Sequence, residues 1–124
     1  MNKILIVDDI EDYLRSLENA LKGDFEIIKA MSLSEAKERM NKEIKVALVD
    51  IRLKEDDPQN RDGLVFLEWV KMNYPETKVI IMSAYREFDL AVEALNLGAE
   101  YFLRKPINLV ELKGTIKTVL EDRG

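Results

Sequence analysis

The sequence predicts an α/β domain in which strand and helix alternate five times around one parallel sheet. Three features predict it. The short apolar runs Ile4–Val7, Val46–Val49 and Val79–Met82 lack the polar alternation of a half-exposed strand, so they read as strands buried on both faces. The segments between them carry apolar residues three and four apart, the spacing of one helix face. Strands separated by helices join as parallel neighbours, with helices covering both faces of the sheet.

Each element has its own signal. After Ile4–Val7 comes a stripe of Ile10, Tyr13, Leu14, Leu17 and Leu21, a helix expected to end at Gly23. Phe25 to Ala30 reads as the second strand. Ser32 stands three residues before Glu35, a capping-box pattern that opens a helix reaching about Asn41. The third strand, Val46–Val49, ends at Asp50. Six of the nine residues from Lys54 to Asp62 are charged, which predicts a solvated loop. Leu64, Leu67 and Val70 then mark a helix that stops near Tyr74-Pro75. Beyond the fourth strand, Val79–Met82, Ala91, Ala94 and Leu95 belong to a helix closed by Gly98. Tyr101 to Leu103 is a short fifth strand. Asn108 caps a last helix whose inner face is expected to carry Leu109, Leu112, Ile116, Val119 and Leu120.

Composition narrows the function. The 124 residues, 47% hydrophobic and 35% charged, suit one domain spanning 1–124, with no repeat and no internal linker. The chain has no cysteine and no histidine, which excludes disulfides, thiol catalysis, His-ligated metals and a Ser-His-Asp triad. Its 19 basic residues against 24 acidic ones give a net charge of −5, unsuited to direct nucleic-acid binding. No apolar run approaches the roughly 18 residues of a membrane span. The first residues meet Asp8-Asp9 too early for a signal peptide, so a cytoplasmic location is expected.

In an open parallel sheet, ligands bind beyond the carboxyl ends of the strands. There the sequence places Asp8-Asp9, Asp50, Ser83-Ala84 and Lys105-Pro106. Asp8-Asp9 alone could simply cap a helix, and Asp50 alone could be a turn residue. Together they put three carboxylates at one edge. Two ionised carboxylates about 5 Å apart repel by about 3 kcal/mol at an effective dielectric near 20, so a cation or a proton is needed among them. Oxygen-only ligands favour a hard ion such as magnesium. A carboxylate beside such an ion, a lysine and a hydroxyl is equipped to attack a phosphoryl group and become an aspartyl phosphate.

Four pieces, in order and at strand ends, make this specific: Ile4-Leu5-Ile6-Val7-Asp8-Asp9, Val49-Asp50, Met82-Ser83-Ala84, and Gly98 through Lys105-Pro106. With them the chain resembles, end to end, the receiver domain of bacterial two-component response regulators. From Ala91 to Pro106 it is most similar to receivers of enhancer-binding transcription activators. The resemblance implies a flavodoxin-like doubly wound sheet of order 2-1-3-4-5. It implies that Asp50 accepts a phosphoryl group from a sensor histidine kinase. It implies Mg2+ bound directly by Asp9 and Asp50, by Asp8 mostly through water, and by the backbone carbonyl of Arg52. Ser83, Ala84 and Lys105 become the phosphoryl-binding and switch residues, Phe102 the switch aromatic, and the bond before Pro106 is expected to be cis. The helices flanking the fifth strand become the surface that reports phosphorylation to an output domain or downstream protein, and that forms a phosphorylation-dependent homodimer. The role is that of a switch, not of a metabolic enzyme.

Two features depart from the family pattern. Gly63 stands 13 positions after Asp50, several more than usual, and the usual Pro soon after the phosphoacceptor is missing, although Pro58 comes later. Arg52 and Tyr85 are bulky at the two positions that tune hydrolysis, which predicts a long-lived phosphate. The alternatives are a receiver-like interaction module that signals without phosphate and a free-standing phosphohydrolase. Against the latter, Arg52 stands where its second acid is expected.

Overall fold

The computed structural model describes residues 1–84 and 88–121. Five strands alternate with five helices: β1 Lys3–Val7, α1 Glu11–Leu21, β2 Glu26–Ala30, α2 Leu33–Arg39, β3 Ile44–Asp50, α3 Asp62–Asn73, β4 Lys78–Ser83, α4 Phe88–Asn96, β5 Tyr101–Arg104 and α5 Leu109–Glu121. The strands pair in parallel in the order β2-β1-β3-β4-β5. This is the doubly wound sheet that the alternation predicts. Its switch point lies where β1 neighbours both β2 and β3.

Successive strand residues point to opposite faces, so each strand feeds two cores. Ile4 and Ile6 of β1, Val46 and Leu48 of β3, and Ile80 and Met82 of β4 pack with Leu14, Leu17 and Leu21 of α1 and Leu112, Ile116 and Val119 of α5. Leu5, Val7, Ala47, Val49, Val79 and Ile81 face the other way, onto α2, α3 and Ala94 of α4. All twelve of these strand residues are fully buried, which is why their runs are apolar without alternation.

The caps show the local chemistry. Ser32 accepts the Glu35 N–H at 3.1 Å, and the Glu35 carboxylate accepts the Met31 N–H at 3.0 Å. Asn108 accepts the Glu111 N–H at 3.0 Å at the start of α5. Gly98 has φ +109°, and the flanking bonds Gly98 N–H to Leu95 and Ala99 N–H to Ala94 form a Schellman close to α4.

Three expectations need correction. Gly23 does not close α1 in a left-handed conformation; the helix ends a residue pair earlier, with Lys22 still right-handed, and Phe25 is held by an N–H bond to Leu21. Phe25 therefore precedes β2, although its side chain is buried. Leu109 is not on the inner face of α5 but is exposed in its first turn, because the inward stripe begins only at Leu112.

Candidate functional site

Parity and register build the site. Val7 pairs with Val49, so the next residues, Asp8 and Asp50, leave β1 and β3 side by side. Asp8 has the parity of Ile4 and Ile6, Asp50 that of Val46 and Leu48, and Lys105 that of Leu103, so all three belong to the α1/α5 face. The Lys105 N–H donates to the Ser83 carbonyl at 2.8 Å, which extends the β4–β5 pairing to the lysine.

The ammonium of Lys105 lies 3.0 Å from Asp8 Oδ2 and 3.0 Å from Asp50 Oδ2. Asp8 is fully buried and Asp50 nearly so. Burial is the largest influence on Lys105 and works against its charge. The attraction of Asp50 and Asp8 and their hydrogen bonds together outweigh it and hold the pKa above the ordinary lysine value. The other Asp8 oxygen accepts the Ile10 N–H at 3.0 Å, just before α1. Tyr13, one turn into α1, places its ring 4.3 Å from the lysine nitrogen, and its hydroxyl accepts the Ile107 N–H at 3.2 Å.

Asp9 is arranged differently. Its Oδ2 accepts the backbone N–H of Glu55 at 2.7 Å, across 46 residues of chain. Its Oδ1 is buried and has no hydrogen-bond partner among the described residues. Asp8, Asp9 and Asp50 each offer a carboxylate oxygen within 4.8 Å of the others. One ammonium thus serves two of three clustered carboxylates, and the third holds an orphaned oxygen. This all-oxygen set fits a small, hard divalent cation, which would supply the positive charge that Lys105 alone does not. Beside it is an open cavity of about 280 Å³, bordered by Asp9, Tyr13, Asp50, Arg52, Glu55, Ala84 and Lys105.

The stretch after β3 is more ordered than its charge suggests. The Gly63 N–H bonds the Ile51 carbonyl at 2.8 Å, and a Cβ on Gly63 would lie 2.1 Å from the Asp50 carbonyl oxygen. Only glycine permits this approach, so α3 starts directly beneath the Asp50 backbone. The stretch between β3 and α3 leaves and rejoins that frame through Asn60, whose side-chain oxygen accepts the N–H groups of Leu53 at 2.9 Å and Asp62 at 3.0 Å. In between, two turns follow each other, closed by Asp57 N–H to Lys54 and Asn60 N–H to Asp57, with Pro58 opening the second. The side chains of residues 54–59 are exposed, as a solvated loop requires, but Asn60 is buried and the backbone is tied down.

Comparison with known proteins settles the family. The chain matches the response regulator receiver domain over residues 4–117. It belongs to that family. The receiver is 33% identical to the response regulator protein PilR of Pseudomonas aeruginosa over 124 residues, covering 98% of this chain and 27% of PilR. It is also 33% identical to the transcriptional regulatory protein ZraR of Escherichia coli K12, covering 94% of this chain and 26% of ZraR. The chain thus spans about a quarter of the length of these curated relatives. The crystal structure of the NtrX receiver domain from Brucella abortus superimposes with a TM-score of 0.85 at 28% identity, covering 95% of this chain and 98% of that one. A receiver domain from Clostridium thermocellum gives 0.84 at 28% identity, covering 97% and 94%.

The remaining sequence-derived positions of the receiver are spread around the pocket. The Ser83 hydroxyl is buried and donates to the Ala84 carbonyl at 3.1 Å. Phe102 pairs with Ile81 in register and packs, partly buried, on the α2/α3/α4 side, while Tyr101 is exposed on the other parity. The Lys105–Pro106 bond is cis. Tyr85 lies outside the described residues. Sequence reasoning missed two members of the site. Tyr13 hides inside an ordinary helix stripe, and Glu55 contributes a backbone N–H, which no side-chain motif records. Among the described residues, no helix is long and apolar enough to cross a membrane.

Proposed function

We propose that this receiver is a magnesium-dependent phosphorylation switch whose phosphoacceptor is Asp50. The observation that carries this reading is the single ammonium of Lys105, 3.0 Å from both Asp8 and Asp50, beside the orphaned Asp9 oxygen. Asp9 and Asp50, with the Arg52 carbonyl, would hold Mg2+, and Asp8 would act mostly through water. Both Asp8 oxygens are already engaged, which favours that division of labour. When bound, the ion supplies charge stabilisation for the transferring phosphoryl oxygens.

The protein's own groups do the rest. A carboxylate oxygen of Asp50 attacks the phosphorus of a phosphohistidine on a sensor histidine kinase. The new O–P bond forms as the P–N bond breaks, and the imidazole leaves with the electron pair. Lys105 exchanges part of its carboxylate contact for the phosphoryl oxygens. The Ser83 hydroxyl leaves the Ala84 carbonyl and donates to the phosphoryl group. The space it vacates admits Phe102 from the α4 side, which shifts the population of the α4–β5–α5 surface.

That surface carries exposed Val92 and Leu95 on α4, Tyr101 on β5, and Leu109 and Val110 on α5. It is the proposed contact for an output domain or a downstream protein, and for a homodimer formed on phosphorylation. The similarity to transcriptional regulators supports an enhancer-binding activator as the full-length context. DNA contact would then belong to the attached output and not to this acidic domain, a single receiver domain assigned to 1–124 and placed in the cytoplasm. It assists its own phosphorylation and dephosphorylation and is a switch, not a metabolic enzyme.

Intact mass after incubation with acetyl phosphate tests the reading, with and without magnesium, for wild type and Asp50→Asn. One phosphoryl adduct that needs both the metal and Asp50 is the expected result. An adduct on Asp50→Asn would overturn the assignment. If no adduct forms but a partner is still bound, the domain signals without phosphate.

A further inference from the structure

The surplus residues after β3 do more than lengthen a loop. Glu55 is the second residue of the turn closed by Asp57 N–H to Lys54, a position whose own N–H is not used inside the turn. That free N–H is aimed at Asp9 Oδ2 at 2.7 Å, a short, charge-assisted bond. The turn is held from both sides, by Asn60 on Leu53 and Asp62 and by the Pro58 turn behind it. The bond fixes one oxygen of Asp9 and leaves the other, Oδ1, buried and, among the described residues, unpartnered within the cluster of three carboxylates.

We propose that the Glu55 backbone amide is a positioning group for the cation site: the inserted double turn orients Asp9 so that Oδ1 is presented to the divalent ion. Outer hydrogen bonds that orient a ligating carboxylate typically change metal affinity by about 10–100-fold. The inserted loop is thus part of the metal site, although none of its side chains need touch the ion. This inference rests on the proposed placement of the cation at Asp9.

The turn geometry offers a clean test. Proline is favoured at the second position of such a turn, so Glu55→Pro removes the N–H while keeping the local fold. Glu55→Ala loses the same carboxylate but keeps the N–H. Magnesium affinity of the full chain is measured by isothermal titration calorimetry. The expected result is a dissociation constant about tenfold higher for Glu55→Pro than for Glu55→Ala. Equal affinities would overturn the inference. Tighter binding by Glu55→Pro would overturn it too, since the amide would then be competing with the ion. A second measurement needs no variant. Hydrogen exchange of the Glu55 amide in wild type is expected to stay protected at saturating magnesium, whereas loss of protection would contradict the positioning role. Wild-type protein that takes up no magnesium would remove the cation reading itself along with this one.

Discussion

Lys105 is the residue on which the pocket turns, and Tyr13 is the one that steadies it. The ring sits 4.3 Å from the ammonium, while its hydroxyl ties α1 to Ile107 just beyond Pro106. A partly desolvated cation–π contact is worth about 1 kcal/mol, or about fivefold in rate if it is needed in the transition state. Tyr13→Leu is therefore expected to slow phosphorylation by acetyl phosphate about fivefold, and Tyr13→Phe to slow it less; stopped-flow fluorescence or quenched mass analysis reads both. An unaltered rate in Tyr13→Leu would leave the tyrosine a packing residue only. Arg52 borders the same cavity, where its bulk would screen an attacking water. Arg52→Ala should shorten the phosphate lifetime several-fold, and a wild-type half-life of seconds would refute the screening idea. At this scale the sequence was legible wherever a side chain announced its chemistry. Asp8, Asp9, Asp50, Ser83 and Lys105 stand at strand ends, and the structure gathers them into one region. Tyr13 and the Glu55 amide escaped notice because a helix-stripe aromatic and a backbone N–H look the same in any protein.

Among the elements, α3 is the one whose position the site cannot do without. Its first turn lies so close to β3 that a Cβ on Gly63 would overlap the Asp50 carbonyl oxygen at 2.1 Å and Ile51 Cα at 2.6 Å, both backbone atoms that cannot swing aside. Gly63→Ala is expected to cost about 3 kcal/mol or more in urea unfolding, by forcing α3 away from the strand. Asn60→Ala strips the N–H groups of Leu53 and Asp62 of their shared acceptor and should cost about 2 kcal/mol by the same measurement. The periodicities located all ten elements because the three central strands are buried on both faces and each helix buries one, while the edge strands β2 and β5, only partly buried, were short runs between helix stripes. Boundaries were less legible. Gly23 looked like a helix stop but needs no left-handed backbone, and Leu109 fits the inner stripe by spacing yet precedes the turn where α5 meets the sheet. The charged stretch after β3 read as solvent-facing because its side chains are; the order in its backbone comes from Asn60 and two turns, a pattern that composition conceals.

For the molecule as a whole, the acidic pocket is a local fault in an otherwise well-buried frame. Three carboxylates cluster where the Lys105 ammonium reaches two of them, so a cation that binds the folded state alone must stabilise the domain. At a hundredfold excess over its dissociation constant, magnesium is expected to add about 2.7 kcal/mol to the unfolding free energy. Most of that gain should vanish in Asp9→Asn, and an undiminished gain would place the ion elsewhere. The exposed apolar residues of α4, β5 and α5 are not members of the core that holds Leu103 and Ile116, so they can change partners without disturbing it. Sedimentation velocity is expected to find the phosphorylated form dimeric and Tyr101→Glu monomeric. The tucked start of α3 has a consequence of another kind. Because Gly63 is locked under Asp50, the place of the phosphoacceptor does not depend on the length of the intervening segment, even though the Glu55 amide within it reaches Asp9. Lineages can vary what a passing kinase meets there, and an engineer can splice a reporter peptide into it, while the phosphoacceptor keeps its place.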